Sequence, residues 1–389
     1  MAAAPEMGDR VTSSSILSGV KLRGSAPSPP APLPRGGEGR DSLHTYHFPL
    51  AAGSLDSNPL PLGGEGGAQR RVRGFGRKLE SAGLPLAFLL FSALPVSGAT
   101  YYLSVAGLGG EPEYEQQFES LAKDLDKVLR TSGVDAHVET LFGQEATRER
   151  LTEKFGVISS QARPEDEFVL ILIGHGSFDG VEYKFNLVGP DVSAEELARL
   201  CDRVQAKRQM VVNTTSASGG SVPALERPGR AVIAATKSGT EKNATVFGRY
   251  WVEALHDPEA DVDKNEAISA LEAFRYAARK TAAYYESEKR LATEHAIFED
   301  TGKGEAVRAA SNEGGEGLLL SSITLVRFGS AQRAASDPGK HALLAKKEEL
   351  EHQIDTLKYQ KAAMSEDDYK KQLTAALLEL ARVQQELDK

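Results

Sequence analysis

The sequence predicts a three-layer α/β domain on a mostly parallel sheet, followed by a C-terminal helical hairpin of coiled-coil type. Three observations carry this reading. Apolar runs of strand length, such as "EFVLILIGHG" and "RAVIAAT", alternate with segments of helical period from Thr100 onward. Those runs are apolar at successive rather than alternate positions, the mark of strands covered on both faces. Residues 340–389 carry leucines at seven-residue spacing.

Taken in order, "TYYLSVAGLGG" is a strand and "EYEQQFESLAKDLDKVLRTSG" an amphipathic helix that Gly133 closes. "DAHVETLFG" is the next strand and "EATRERLTEKFGVISSQ" the next helix. "EFVLILIGHG" is a buried strand, and "SFDGVEYKFNLVGP" alternates like a hairpin. Ser193 and Glu196 form a capping box that opens the helix "AEELARLCDRVQA". Two further buried strands follow, "QMVVNTT" and "RAVIAAT". A late strand, "LLSSITLVRFG", is expected to join the same sheet after a long helical excursion, so the domain spans residues 100–335. Parallel neighbours need crossover helices, which the alternation supplies. In such sheets ligands bind beyond the carboxyl ends of the strands. His175, Ser216 and residues 236–238 each follow a strand and should therefore converge on one edge.

Upstream, residues 1–78 are rich in Pro, Gly and Ser, and "PLPRGGEG" recurs there as "PLPLGGEG". Such sequence cannot bury a core and is read as disordered and absent from the mature protein. Arg70, Arg71, Arg73, Arg77 and Lys78 precede an apolar run over residues 84–95, after which Ser97 and Ala99 supply small residues. That layout reads as a signal peptide over residues 79–99, cut after Ala99, with export to the periplasm or outside and a true start downstream of Met1. The net charge of -9 argues against nucleic acid as a partner. Cys201 is the only cysteine, which excludes an internal disulfide and a Cys-rich zinc site. Its helical spacing with Leu197, Leu200 and Val204 makes it a core residue.

"LIGHGS", followed about forty residues later by "VVNTTSASGG", resembles the caspase and legumain superfamily of cysteine peptidases, in its legumain-like branch. The resemblance extends over roughly residues 100–328 through the order of elements. It implies a caspase-like fold in which His175 is the family's histidine and the N–H of Gly176 helps hold an oxyanion. Ser216 falls where the nucleophilic Cys belongs. A serine hydroxyl needs a well-placed base, itself oriented by a third group, whereas a thiol is readily ionised. The sequence offers no clear acidic orienter, since Asp179 and Glu182 read as a hairpin turn and its solvated face. The other histidines have no comparable setting. The favoured reading is a catalytically impaired protein that binds a peptide or serves assembly. The alternative is an active endopeptidase in which Ser216 attacks, His175 is the base, and the N–H groups of Gly176 and Ser216 receive the oxyanion. A nucleotide-binding protein is disfavoured because "GLGGEP" lacks the dinucleotide fingerprint spacing.

No cofactor is required by either reading. "DVDKNEAISALE" nevertheless sets Asp261, Asp263, Asn265, Ala267, Ser269 and Glu272 at positions 1, 3, 5, 7, 9 and 12 of an EF-hand-like calcium loop over residues 261–272. Glu266 stands where that loop needs a glycine at positive φ, so binding should be weak. The competing reading is an acidic helix start. In the C-terminal segment, Leu343, Leu350 and Leu357 with Ile354 form one seam, and Leu373, Leu380 and Leu387 with Tyr369, Ala376 and Val383 form a second. Ser365 and Asp368 cap the second helix. The seams fit self-association, another coil or the α/β domain, and the sequence does not choose among them.

Overall fold

The computed structural model describes residues 98–131 and 135–389. Residues 79–97 of the expected leader, the repeat-bearing segment before it and Gly133 lie outside the described residues. Among those residues, no helix is long and apolar enough to cross a membrane.

The chain enters strand β1 (Thr100–Ala106) and crosses through helix α1 (Pro112–Arg130) to β2 (Ala136–Leu141). Pro112 at the first turn, Glu113 and Glu115 behind it, and Lys127 and Arg130 in the last turn suit the two ends of the helix dipole. Phe118, Ala122, Leu125 and Leu129 are buried at helical spacing on its inner face. Helix α2 (Arg148–Gln161), capped by the Thr147 hydroxyl, leads to β3 (Glu167–Ile173), which is buried at every position.

Three short strands then form a separate small sheet in the order β4 (Gly176–Phe178), β5 (Tyr183–Phe185) and β6 (Val192–Ser193). The capping box of Ser193 and Glu196 opens α3 (Ala194–Asp202) as expected. Strand β7 (Arg208–Asn213), the short helix α4 (Val222–Leu225), β8 (Arg230–Ala234) and α5 (Phe247–Ala254) follow. Beyond the acidic loop come β9 (Ala267–Ser269), α6 (Ala270–Ser287), β10 (Ile297–Glu299), α7 (Leu318–Ser322) and β11 (Thr324–Arg327).

The central sheet runs β10-β8-β7-β3-β1-β2. Its neighbours are parallel except for β10, which is antiparallel to β8. Successive strand residues face opposite ways, and this produces two cores. Tyr102, Val169, Ile171, Val212 and Ile233 meet the side of α1, α5 and α6. Leu103, Leu170, Leu172, Val211 and Val232 meet the side of α2 and α3. Cys201 is fully buried in the second core, and burial pushes its thiol up to about 12. It is a small hydrophobe here, not a nucleophile.

The late strand departs from expectation. β11 pairs antiparallel with β9 in a two-stranded sheet of its own and does not enter the central one. The outer edge of β8 is already occupied by Ile297–Glu299, a strand of three residues that is too short to show a period. Beyond it, α8 (Gly329–Ser336), α9 (His341–Gln360) and α10 (Glu366–Leu387) complete the chain. α9 and α10 pack on one another, with Leu350, Ile354 and Leu357 buried on the first and Ala376 and Val383 on the second. Lys340 Nζ reaches the Leu387 carbonyl at 2.6 Å. α9 is also anchored to the α/β domain. Arg327 makes a two-pronged contact with Glu348 at 2.6 and 3.0 Å, and Tyr359 donates to the Glu316 carbonyl at 3.0 Å.

Arg230, 1% exposed at the start of β8, is fully spent on internal partners. It donates to Gln209 Oε1, the Leu225 carbonyl and Asp202 Oδ1 at 2.9, 3.0 and 2.6 Å. Removing it strands the buried Gln209 Oε1 and the Leu225 carbonyl, whereas Asp202 keeps Arg227. Arg230→Ala is expected to lower unfolding stability by about 3 kcal/mol, read as a shift of the urea midpoint at unchanged slope. A shift within experimental error would show that this network carries no weight.

Candidate functional site

Because β1, β3, β7 and β8 are parallel, their carboxyl ends share one edge, and antiparallel β10 begins there. Along this edge lie in turn the Gly109 loop, His175, Ser216, Thr236 with Ser238, and His295.

The turn after β7 is buried, and hydroxyls satisfy it. Asn213 Oδ1 accepts from the Thr215 hydroxyl at 2.8 Å and from the Tyr183 hydroxyl at 3.2 Å, while its Nδ2 donates to Ser221 Oγ at 3.0 Å. Thr214 Oγ1 donates to the Leu172 carbonyl at 2.8 Å. Ser218 Oγ receives the Thr236 N–H at 3.1 Å, and Thr236 Oγ1 receives the Gly219 N–H at 2.9 Å. A Cβ on Gly219 would stand 2.3 Å from Ser238 N, so the close approach of the two loops requires glycine there. Loss of hydration raises the fully buried Tyr183 phenol well above its ordinary value.

Ser216 is 3% exposed and its hydroxyl closes on the backbone of one residue, Gly176. It donates to the Gly176 carbonyl at 2.9 Å and accepts the Gly176 N–H at 3.1 Å. No partner among the described residues takes the Ser216 N–H. His175 is half-buried, its ring met edge-on by Tyr114 and Phe118 at centroid distances of 4.8 and 5.1 Å. Burial lowers its pKa, outweighing the opposing pull of a hydrogen bond to the Gly109 backbone and of the Glu111 charge. The structure therefore brings His175, Gly176 and Ser216 to adjacent strand ends. Among the described residues, no hydrogen bond joins the imidazole to the hydroxyl.

Two features were beyond sequence reading. The first is the Gly109 backbone, which opposes the effect of burial on His175 and whose N–H is held on Glu115 Oε2 at 2.9 Å. A backbone group has no residue-type signature. The second is the pair of His295 and Glu241, with Nδ1 to Oε1 at 2.5 Å. Glu241 also accepts the N–H groups of Lys237 and His295 at 2.9 and 3.1 Å. These bonds outweigh burial and hold its carboxyl below the usual range. The Glu241 carbonyl takes the N–H of Ala217 at 2.8 Å, fixing the residue after Ser216 at φ 56°. His295 and Glu241 are 54 positions apart, and neither stands in a motif. Asp179 caps its hairpin turn through Val181 and Glu182, whose own carboxylate pairs with Lys184.

At the acidic loop, one oxygen each from Asp261, Asp263 and Glu272 lies within 4.8 Å of the others. Glu266 sits at φ 65°, as the loop position demands of a glycine. Partial loss of hydration, with Glu272 and Asp261 nearby, raises the Asp263 carboxyl to about 6. The remaining positions are otherwise engaged. Ser269 and Glu272 form a reciprocal capping box on α6, the helix-start arrangement, and Ala267 pairs with β11. Asn265 Oδ1 turns to the Ala267 N–H at 2.9 Å, and the Asn265 carbonyl receives Lys347 Nζ of α9 at 2.9 Å. A cavity of about 390 Å³ opens beside the loop, bordered by Glu167, Arg208 and Thr100 at the amino ends of the strands and by Glu348 and Glu351 of α9. It lies at the end of the sheet opposite Ser216.

No family model and no curated protein sequence matches the chain. Two solved structures are similar to it at a low level. A structural-genomics protein of Geobacter sulfurreducens, 13% identical, covers 60% of this chain and 100% of its own with a TM-score of 0.38. The Drosophila initiator caspase Dronc, 11% identical, covers 53% of this chain and 80% of its own with a TM-score of 0.36.

His175 is expected to titrate below the unperturbed histidine value of 6.5. Its neutral form then stabilises the fold above about pH 6.5, and that contribution is lost as pH falls through the lower folded value. An NMR titration should place its midpoint below those of free histidines. His175→Phe, which keeps the aromatic packing, should flatten this part of the stability profile. A midpoint at or above 6.5 would contradict the burial described here.

Proposed function

We propose that the chain is a peptide-binding relative of the caspase and legumain-type peptidases in which Ser216 replaces the attacking thiol and catalysis is impaired. The observation that carries this reading is the closure of the Ser216 hydroxyl on the backbone N–H and carbonyl of Gly176. Its proton goes to a backbone carbonyl at 2.9 Å instead of to an imidazole. A hydroxyl becomes a nucleophile only when a base takes its proton as it attacks. The His175 ring packs against the edges of Tyr114 and Phe118 instead.

A hydrolase reading has one specific observation in its favour. The N–H groups of Gly176 and Ser216 flank the hydroxyl, where an acyl oxyanion would need two donors. In that reading Ser216 Oγ bonds to a peptide carbonyl carbon while His175 takes its proton. The carbonyl oxygen becomes the oxyanion, and His175 returns the proton to the leaving amine. Comparing native protein, Ser216→Ala and Ser216→Cys on a peptide library and with a serine-directed phosphonate separates the two. The expected outcome is no labelling or turnover in the native chain and measurable turnover in Ser216→Cys. Phosphonate labelling of the native chain that Ser216→Ala abolishes would establish the hydrolase instead.

For the acidic loop we propose weak calcium binding by Asp261, Asp263 and Glu272, supported by their convergence within 4.8 Å. Hard oxygen donors on an acidic loop suit calcium. Because the Asp263 carboxyl titrates at about 6, affinity should fall severalfold as the pH drops from neutrality through that value. Calorimetry with millimolar calcium on native protein and Asp263→Asn checks this. Absence of heat at neutral pH, or heat unchanged in the variant, would remove the ion from the account.

A further inference from the structure

Helix α10 turns one face to α9 and leaves the opposite face uncovered among the described residues. Ala376 and Val383 are buried on the inner face, with Leu373 and Leu380 half-buried beside them. Successive residues stand about 100° apart around a helix. Leu378 therefore lies across α10 from that seam, and it is 57% exposed, with Leu377 beside it at 47%. Thr374, Ala375 and Ala381, one turn to either side, are exposed as well. The heptad seam of α10 is thus consumed within the hairpin, and a second strip of apolar and small residues is left over. One exposed leucine needs no explanation, but a contiguous strip on a helix invites a partner.

The charges along the strip select that partner. Lys370 and Lys371 precede its apolar centre, and Glu386 and Asp388 follow it. Asp367 stands eleven residues before Leu378 and Lys389 eleven residues after it. A second α10 laid antiparallel about Leu378 sets Thr374 beside Ala381, the two lysines beside Glu386 and Asp388, and Asp367 beside Lys389. A parallel copy sets each charge against its own kind. Self-complementarity on reversal is what a twofold contact between identical surfaces requires, and the charges fix its direction. In the single chain Lys370 pairs with Glu366 and Lys389 with Glu386. Both pairs are exposed, so exchanging partners costs little. We infer that the exposed face of α10 is an interface for a second copy of the chain, joined antiparallel about Leu378.

This inference is independent of the peptide-binding and calcium readings. The small residues at 374, 375 and 381 let the two helices approach closely, with the paired Leu378 side chains at the centre of the contact. At 22 residues, α10 is about 33 Å long. A single helix pair of that length buries less than a standard interface, so the dimer should be weak, with a Kd of about 10–100 µM. Leu377 and Leu378 supply the affinity, and the charged ends supply the orientation.

Sedimentation equilibrium of the full chain, from about 1 to about 300 µM, should show a monomer–dimer equilibrium within that range. Leu378→Glu, at a position exposed in the single chain, should raise the dissociation constant about tenfold or more while the urea midpoint stays that of the native protein. Disulfide trapping reads the orientation, since the one native cysteine, Cys201, is fully buried. A mixture of Thr374→Cys and Ala381→Cys chains should form the mixed disulfide under mild oxidation, whereas Thr374→Cys alone should not cross-link. A native chain that stays monomeric at about 300 µM, or a dimer that Leu378→Glu leaves intact, would overturn the interface. Cross-linking of Thr374→Cys to itself, without the mixed product, would show that the copies do not run antiparallel and would sink the inference in that form.

Discussion

A turn buried between two strands and a helical layer has no water to satisfy its polar groups, so each must find a partner within the protein. The segment after β7 meets that requirement with short hydroxyl side chains. Thr214 reaches back to β3, Thr215 joins Asn213 and Tyr183, and Ser218 and Ser221 tie the turn to β8 and to itself. Ser216 then closes on Gly176, at the start of β4. The geometry of the candidate site follows from these bonds. They hold the ends of β3, β7 and β8 together, with the half-buried Phe178 packed against the core beside them.

The same constraint shows why a hydroxyl and a sulfur are not equivalent at position 216. A thiol is a weak donor and a weak acceptor, so it would leave both polar groups of Gly176 largely available. A hydroxyl fills both. In this chain the Ser216 hydroxyl therefore acts first as a partner for the Gly176 backbone. The imidazole beside it is framed by two aromatic edges, and burial lowers its pKa. On the other side of Ser216, the half-buried Glu241 gathers Lys237, His295 and Ala217 into one loop.

The opposite end of the sheet is organised by charge. β9 leaves the acidic loop and pairs with β11, and Arg327 of β11 passes the connection to Glu348 of α9. Lys347 bonds back to the Asn265 carbonyl within the loop. The C-terminal hairpin is thus joined to the segment that carries the acidic cluster, at a distance from Ser216. Burial and the neighbouring Asp263 and Glu348 outweigh Lys347 and raise Glu351, beside this contact, to about 7.

Local chemistry was legible wherever it repeats along the chain. Buried strands announced themselves by unbroken apolar runs, α3 and α10 by their caps, and the edge bearing His175 and Ser216 by parallel order. The positive φ at Glu266 followed from loop spacing alone. Other features depended on partners remote in sequence. β11, expected in the central sheet, pairs with β9 instead, and three-residue β10, too short to show a period, lies against β8. His295 met Glu241, and Gly109 met His175, across distances that carry no motif. By itself, then, the sequence determined the layers, the strand ends and the residue types that gather there. Only the tertiary structure decided which hydrogen bonds those residues make, because a buried hydroxyl or imidazole takes whichever partner the packed backbone brings within reach.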